Sequence, residues 1–396
     1  VTTPEQAAQW MARALRLAER GRYGTHPNPR VGCVIVKDGA VVGEGWHQRA
    51  GEPHAEVYAL REAGERARGA EVFVTLEPCS HHGRTPPCAD ALVQAGVAKV
   101  WAAMQDPNPL VSGQGLERLR AAGIAAESGL LENDAQRLNR GFVSRMTRGR
   151  PWLTLKLGMS LDGRTAMASG ESQWITGPEA RADVHRLRAE AGAVMTGPGT
   201  VRSDDPRLTV RGFPADPGAA VRGATVGAEV LPVTSSMASP AGGNSAIQGT
   251  LPYLRQPDRV VLDTRAQVPA TARVWAEGAR RLWLTAGEGA APAGVERLVC
   301  ATDASGALDL AAALQVLGHK QVNELLLESG PRLAGAFLKA GLVDEVVAYV
   351  APSFLGHEAR PFATLPGLET LSQRLNWRFA GVRQLGADLR LTLHPA

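Results

Sequence analysis

Apolar and polar positions along the chain switch between helical and strand periods. Thr3-Pro4-Glu5-Gln6 reads as a capping box with proline in the first turn, and the helix it opens is expected to stop near Gly21. Residues 31–36 form an unbroken apolar run rich in β-branched side chains. Asp38-Gly39 and a second strand over 40–46 follow, which predicts a hairpin. Over 54–67, Val57, Leu60 and Ala63 fall at helical spacing. Strands are predicted over 71–76 and 97–104, with a helix over 87–95 between them. That order predicts a sheet covered by helices on both faces.

The pattern restarts near Arg148-Gly149-Arg150-Pro151, which predicts two domains, 1–148 and 149–396. The second opens on an alternating strand over 152–159 and a turn at Leu161-Asp162-Gly163. A helix over 179–191 and a strand over 193–196 come next. Residues 212–256 are rich in Gly, Ala, Pro and Ser without a period, so they read as an irregular or mobile insertion. Strands are then expected over 259–263 and 281–285, a helix over 308–317, a strand over 324–328, and a helix entered at Gly330-Pro331. Strands over 345–350, 377–382 and 389–393 close the chain.

Length agrees with this division, because 396 residues exceed one ordinary core. Charge changes the picture little. A net +4, spread along the chain without a Lys/Arg block interleaved with aromatics, suits phosphorylated small molecules better than nucleic acid. The longest apolar runs have strand length, and Val1-Thr2-Thr3-Pro4-Glu5 has no basic stretch leading into an apolar one. A soluble cytoplasmic protein with no membrane partner is therefore expected.

The four cysteines do not make a disulfide framework. Cys33 and Cys300 stand alone in apolar segments and read as core, whereas Cys79 and Cys88 share a short segment downstream of His54-Ala55-Glu56. One imidazole and two thiolates suit Zn²⁺ and leave a fourth position open, the mark of a catalytic site. A zinc-bound water ionises near neutral pH, and Glu56, two residues from His54, can take its proton and pass it to a leaving amine. Zinc deaminases pair H-x-E with P-C-x-x-C. Here eight residues, not two, separate Cys79 from Cys88. A closed structural site with His81 or His82 as fourth ligand is the alternative, but it gives Glu56 no purpose.

The second half carries quieter chemistry. No G-x-G-x-x-G follows its first strand. Gly197-Pro198-Gly199-Thr200 follows a strand, and Ser329-Gly330-Pro331 opens a helix after another. Backbone N–H groups at such a helix start can bind a cofactor phosphate, or the segment is only a tight turn.

With these residues assembled, the chain closely resembles bifunctional riboflavin-biosynthesis deaminase/reductases. The resemblance rests on His26-Pro27-Asn28-Pro29-Arg30-Val31-Gly32, Gly51-Glu52-Pro53-His54-Ala55-Glu56 and the run 75–88, long cysteine spacing included. It extends through Gln105-Asp106-Pro107-Asn108-Pro109, residues 156–163, Gly170-Glu171-Ser172-Gln173-Trp174-Ile175-Thr176 and Glu328-Ser329-Gly330-Pro331. It implies a cytidine-deaminase-like α/β/α domain followed by a dihydrofolate-reductase-like α/β domain. The substrate implied is a phosphoribosylaminopyrimidine, deaminated with zinc and then reduced by NADPH at C1′ of the opened ribose. Asn28, His81, Arg84, Asp106 and Asn108 would hold the base and phosphate, with Arg84 standing where many relatives have lysine and His81 alternatively orienting the metal site. Gly158, Trp174, Thr200, Asp204 and Thr264 would surround NADPH, with Gly330, Pro331, Arg332, Leu333, Ala334, Gly335 and Ala336. Ser172, Arg188, Leu208, Arg211 and Glu328 would hold the second substrate. Arg188 and Arg211 suit its phosphate, and Trp174 could equally be core.

Three other readings differ in what they require. A nucleic-acid-editing deaminase needs the short C-x-x-C spacing and a basic, aromatic groove. A zinc-stabilised binding module needs a closed site. A deaminase with a non-catalytic second domain finds room in the insertion, which separates two segments expected at the cofactor. A homodimer through the second domain is the expected assembly.

Overall fold

The computed structural model describes residues 2–80, 86–212 and 254–396. Helix α1 (Pro4–Glu19) begins on the reciprocal cap: Thr3 Oγ1 accepts from the Gln6 amide while Gln6 Oε1 accepts from the Thr3 amide. Strands β1 (Gly32–Lys37) and β2 (Ala40–Trp46) turn at Asp38-Gly39, where both residues have positive φ, 52° and 76°. There follow α2 (Ala55–Ala63), β3 (Glu71–Val74), α3 (Cys88–Ala95), β4 (Lys99–Ala102), α4 (Gln114–Ala121) and β5 (Ala125–Ser128). The sheet runs β2-β1-β3-β4-β5, antiparallel across its first two pairings and parallel across the others.

Two glycine sites define its layers. A Cβ on Gly32 would lie 2.0 Å from the Ala14 carbonyl of α1, and one on Gly45 2.3 Å from the Ala55 carbonyl of α2. Gly45 pairs with Cys33, which points opposite to Gly32, so the two helices cover opposite faces. Both helices approach the sheet at backbone distance.

Helices α5 (Glu132–Leu138) and α6 (Arg140–Arg148) lead to a nine-stranded sheet. Its first elements are β6 (Trp152–Ser160), the short β7 (Arg164–Ala166) that stands outside the sheet, α7 (Pro178–Glu190), β8 (Ala193–Thr196) and α8 (Pro198–Asp204). After these come β9 (Asp258–Leu262), β10 (Arg281–Thr285), β11 (Glu296–Val299), α9 (Leu310–His319), β12 (Glu324–Leu327) and α10 (Pro331–Lys339). The chain finishes with β13 (Glu345–Ala351), β14 (Arg360–Pro361), which pairs with β7, β15 (Trp377–Leu385) and β16 (Asp388–Pro395). Strand order is β11-β10-β9-β8-β12-β6-β13-β16-β15, parallel from β11 to β13 and antiparallel beyond. Separate apolar clusters line its two faces, one around Leu155, Leu327 and Phe337 and one around Val194, Val261 and Tyr349.

Cys33 and Cys300 are buried thiols, as their apolar surroundings led one to expect. The two sheets meet along a charged seam. Arg140 grips Glu345 at 2.6 and 3.0 Å, Arg30 reaches Glu324 at 2.6 Å, and Arg148 reaches Asp344 at 2.7 Å. Of the expected insertion over 212–256, residues 213–253 lie outside the described ones.

Candidate active site

Strand register gathers the expected deaminase residues at one edge of the first sheet. Gly32, at the start of β1, pairs with Trp46 at the end of β2, and Cys33 pairs with Val74 at the end of β3. Asn28 therefore precedes, His54 and Cys79 follow, and Asp106 and Asn108 leave the end of β4 at this same edge. Cys88 enters it as the first residue of α3. His81 and Arg84 lie outside the described residues.

His54 is the residue before α2, and Glu56 is in its first turn. His54 Nδ1 lies 3.6 Å from Cys79 Sγ and 3.4 Å from Cys88 Sγ. Tetrahedral zinc, with Zn–N of about 2.0 Å and Zn–S of about 2.3 Å, sets nitrogen and sulfur about 3.5 Å apart. The donor set thus fits zinc without rearrangement, and all three ligand atoms lie within 4.8 Å of one another. The Cys88 amide, at the start of α3, donates to Cys79 Sγ at 3.3 Å. Hydrogen bonds from Cys88 and His54 hold the Cys79 thiol well below its ordinary range despite burial, whereas the neighbouring Cys79 and burial hold Cys88 up. Glu56 is 3% exposed, burial raises its carboxyl, and among the described residues its Oε2 meets no hydrogen-bond partner. A buried, unpartnered carboxylate oxygen beside three metal ligands is free to exchange a proton.

Two residues outside the sequence-based set complete this edge. His47, 2% exposed, places Nε2 3.0 Å from Asn28 Nδ2 and Nδ1 3.0 Å from the Pro53 carbonyl, with its ring edge-on to His54. Glu77 accepts backbone hydrogen bonds from Asp106 (3.0 Å), Gly113 (2.9 Å), Gly115 (2.8 Å) and Leu116 (3.3 Å), tying the Asp106–Asn108 turn to the start of α4. His47 follows β2 and Glu77 precedes a proline. Neither has a periodic pattern around it; only the H-x-E and E-P-C neighbourhoods hinted at them.

In the second sheet the expected residues again leave the carboxyl ends of parallel strands, where open α/β sheets bind ligands. Gly158 is near the end of β6, Thr200 and Asp204 are on α8, Thr264 follows β9, and Glu328 with Gly330 follows β12. The Gly330 amide donates to Thr200 Oγ1 at 3.1 Å, which joins the segments after β8 and β12. Helix α10 starts at Pro331 without a side-chain cap, and Ser329 Oγ is buried with no partner among the described residues. A Cβ on Gly199 would meet nothing within 4 Å. Open backbone, uncapped amides and an unsatisfied hydroxyl fit the phosphates of a dinucleotide. Arg332 and Leu333 belong to the same first turn. Ala334 and Gly335 turn inward instead: Ala334 is fully buried, and a Cβ on Gly335 would lie 2.0 Å from the Thr364 carbonyl. Trp174 is 69% exposed, with the Arg181 guanidinium 4.7 Å over its ring, so it is not a core residue.

Glu328 is the centre of the expected reductase substrate set. Arg188 grips it with Nε at 2.6 Å and Nη2 at 2.9 Å and donates from Nη1 to the Thr209 carbonyl at 3.1 Å, next to Leu208. Lys156, which opens the resembling stretch 156–163 without an expected role of its own, adds Nζ at 3.4 Å. Arg188 thus keeps only part of its donor fork for a phosphate. Arg211 is exposed, and its amide donates to His185 Nδ1 at 3.2 Å; Ser172 is half-buried.

Fold and site together define a zinc-dependent deaminase joined in one chain to a reductase. Residues 4–104 match the cytidine and deoxycytidylate deaminase zinc-binding region, and residues 151–391 match the RibD C-terminal domain. The chain is 50% identical to the riboflavin biosynthesis protein RibD of Escherichia coli over 392 residues, covering 98% of this chain and 99% of that one. The Haemophilus influenzae protein of the same name is 43% identical over 396 residues, covering 98% of each. Among solved structures, Acinetobacter baumannii RibD superposes with a TM-score of 0.84 at 43% identity, covering 99% of both chains. A deaminase/reductase from Thermotoga maritima gives 0.80 at 32% identity, with the same coverage. The chain belongs to the RibD family of bifunctional riboflavin-biosynthesis deaminase/reductases. It is an aminohydrolase and an oxidoreductase, with zinc in the first half and NADPH serving the second. No helix among the described residues is long and apolar enough to cross a membrane.

Proposed function

We propose that the two activities divide between residues 1–148 and 149–396, with each active edge built from the residues just described. The first acts on 2,5-diamino-6-(5-phosphoribosylamino)pyrimidin-4-one and the second on the uracil it yields. The carrying observation is the buried, unpartnered Glu56 Oε2 beside His54, Cys79 and Cys88. Those three residues would hold zinc, which supplies an acidified water next to the carboxylate. Glu56 accepts a proton from that direction and returns it to the departing exocyclic amine. Asn28, set by His47, and Asp106 and Asn108, set by Glu77, face the pyrimidine and ribose phosphate. His81 and Arg84 join them in this reading.

In the second half, the amides of Arg332 and Leu333 receive cofactor phosphates beside Gly330 and Pro331, with Gly330 held by Thr200 and Ala334, Gly335 and Ala336 seating the helix behind them. Gly158, Trp174, Thr200, Asp204 and Thr264 complete the NADPH site, and the cofactor supplies hydride for C1′. Ser172, Leu208 and Arg211 hold the ribose phosphate, and Glu328 with Lys156 and Arg188 forms the polar floor. A homodimer through the edge strand β15 belongs to this reading, supported by Phe379 and Val382, which are 66% and 58% exposed. Cytoplasmic residence is supported by four thiols free of disulfides, two of them arranged as metal ligands.

The test follows ammonia release and NADPH absorbance together in zinc-loaded protein given the diaminopyrimidinone. Both signals are expected, and both should vanish in Glu56→Ala, while the variant still oxidises NADPH when given the deaminated substrate. Ammonia without NADPH oxidation in the unaltered protein would instead assign the second domain a non-catalytic role.

A further inference from the structure

The two sheets meet at one peptide of the deaminase edge. The carbonyl of Pro27, on the peptide that delivers Asn28, accepts a hydrogen bond of 2.8 Å from Asn323 Nδ2. Asn323 belongs to the other half of the chain, immediately before β12, and is 6% exposed. Its orientation is fixed by chemistry. Arg145 Nε, which can only donate, lies 2.6 Å from Asn323 Oδ1, so the amide nitrogen must face Pro27. Around this contact the seam is closed. Asn139 brackets Arg30 through its amide and carbonyl at 2.8 and 2.9 Å, and Arg30 pairs with Glu324. A Cβ on Gly141 would lie 2.4 Å from Glu324 Cγ and 2.7 Å from the Asn323 carbonyl. The Pro27–Asn28 peptide is therefore held from outside its own sheet, while Asn28 Nδ2 meets His47 Nε2 at 3.0 Å on the other side.

We propose that Asn323, a residue of the reductase sheet, is a positioning residue for deamination, fixing the Pro27–Asn28 peptide so that Asn28 is presented to the pyrimidine substrate. The proposal rests on the reading of Asn28 as substrate-binding. Its reach is confined to one site. Strand β12 has four residues, so Asn323 and Glu328, which flank it, lie at opposite ends of a run of about 16 Å, and the reductase floor does not touch Asn323.

The test uses full-length, zinc-loaded Asn323→Ala, Asn323→Asp and Asn28→Ala. Ammonia release gives KM and kcat for deamination, NADPH oxidation with the deaminated substrate gives those for reduction, and metal analysis gives zinc content. Asn323→Asp keeps the acceptor for Arg145 and sets a second acceptor, in place of the donor, against the Pro27 carbonyl. Both Asn323 variants should raise the deaminase KM by about three- to tenfold, the loss of one hydrogen bond. The deaminase kcat, the reductase constants and the zinc content should stay unchanged. An unchanged KM in both, with Asn28→Ala raising it, overturns the proposal alone. A shift in Asn323→Ala but not in Asn323→Asp overturns it in favour of the Arg145 contact. Parallel loss of both activities or of zinc overturns it in favour of a general structural role. An Asn28→Ala enzyme with normal KM removes the reading of Asn28 and the proposal with it.

Discussion

Arg188 and Glu328 form a two-point ion pair, 2.6 and 2.9 Å, at the carboxyl end of the second sheet. Burial opposes the Glu328 charge, but Arg188 and Lys156 overcome it and bring the carboxyl from its ordinary 4.5 down to about 2. A folded value below the unfolded one contributes stability above about pH 4.5, and that contribution disappears as pH falls towards 2. Arg188→Met should cost about 2–3 kcal/mol, because it leaves buried Glu328 with Lys156, at 3.4 Å, as its remaining cation. It should also shrink the acid-side slope. Thermal melts of both proteins from pH 6 to 3 measure the two effects, and equal slopes would contradict the pairing.

A second pH window belongs to His185. Burial, then the charges of Arg188 and Arg211, lower its imidazole from 6.5 to about 4, and Nδ1 accepts from the Arg211 amide. The neutral ring is the folded form, so its contribution to stability is present above about pH 6.5 and lost as pH falls to 4. His185→Gln should flatten the melting temperature between pH 6.5 and 4 and leave the region below 4 unchanged. A retained slope in that window would place its origin elsewhere.

Glu77 is the anchor of the turn that carries Asp106 and Asn108. Glu77→Ala leaves four amides without their acceptor, Gly115 and Leu116 of α4 among them. The cost should be about 2–3 kcal/mol, and the deaminase KM should rise while reduction of the deaminated substrate is kept. Denaturant titration and the two separate assays check this. A variant with normal KM would free the turn from Glu77.

Metal removal should divide the activities cleanly. After chelation, ammonia release should cease and return with zinc, whereas NADPH oxidation with the deaminated substrate should persist throughout. All three candidate ligands, His54, Cys79 and Cys88, belong to the first half of the chain. Loss of both activities would tie the second domain's stability to the metal.

What the sequence made legible were elements with strong local chemistry. The Thr3–Gln6 cap, the Asp38-Gly39 hairpin and the apolar 346–350 segment each carry their own instructions, and each took the expected form. Helices α4, α5 and α6 escaped notice because they are short and carry few apolar positions: in α4 only Leu116 and Leu119 are apolar and buried, and α6 presents arginines to acidic partners in the other half. The expected strand 377–382 runs on to Leu385, since its pairing with β16 outlasts its apolar pattern. His54, Glu56, Cys79 and Cys88 were legible because metal chemistry restricts residue type and spacing together. His47 and Asn323 were not, because their contacts arise only when distant segments meet, and Lys156 and Glu77, although inside the resembling stretches, carried no sign of theirs.

The seam also bears on whether the halves could exist as separate polypeptides. A cut after residue 148 would leave Arg30 and Arg140 on one product and Glu324 and Glu345 on the other, with Gly141 facing the gap. Each fragment would present a charge pattern that only its complement neutralises. Produced side by side, the fragments would seek one another as a matched heterodimer, and a fragment grafted onto a foreign partner would lose its fit along with its counter-charges. Gene fusion here does more than keep two catalysts in equal supply: it holds together a joint whose two sides no longer make sense apart.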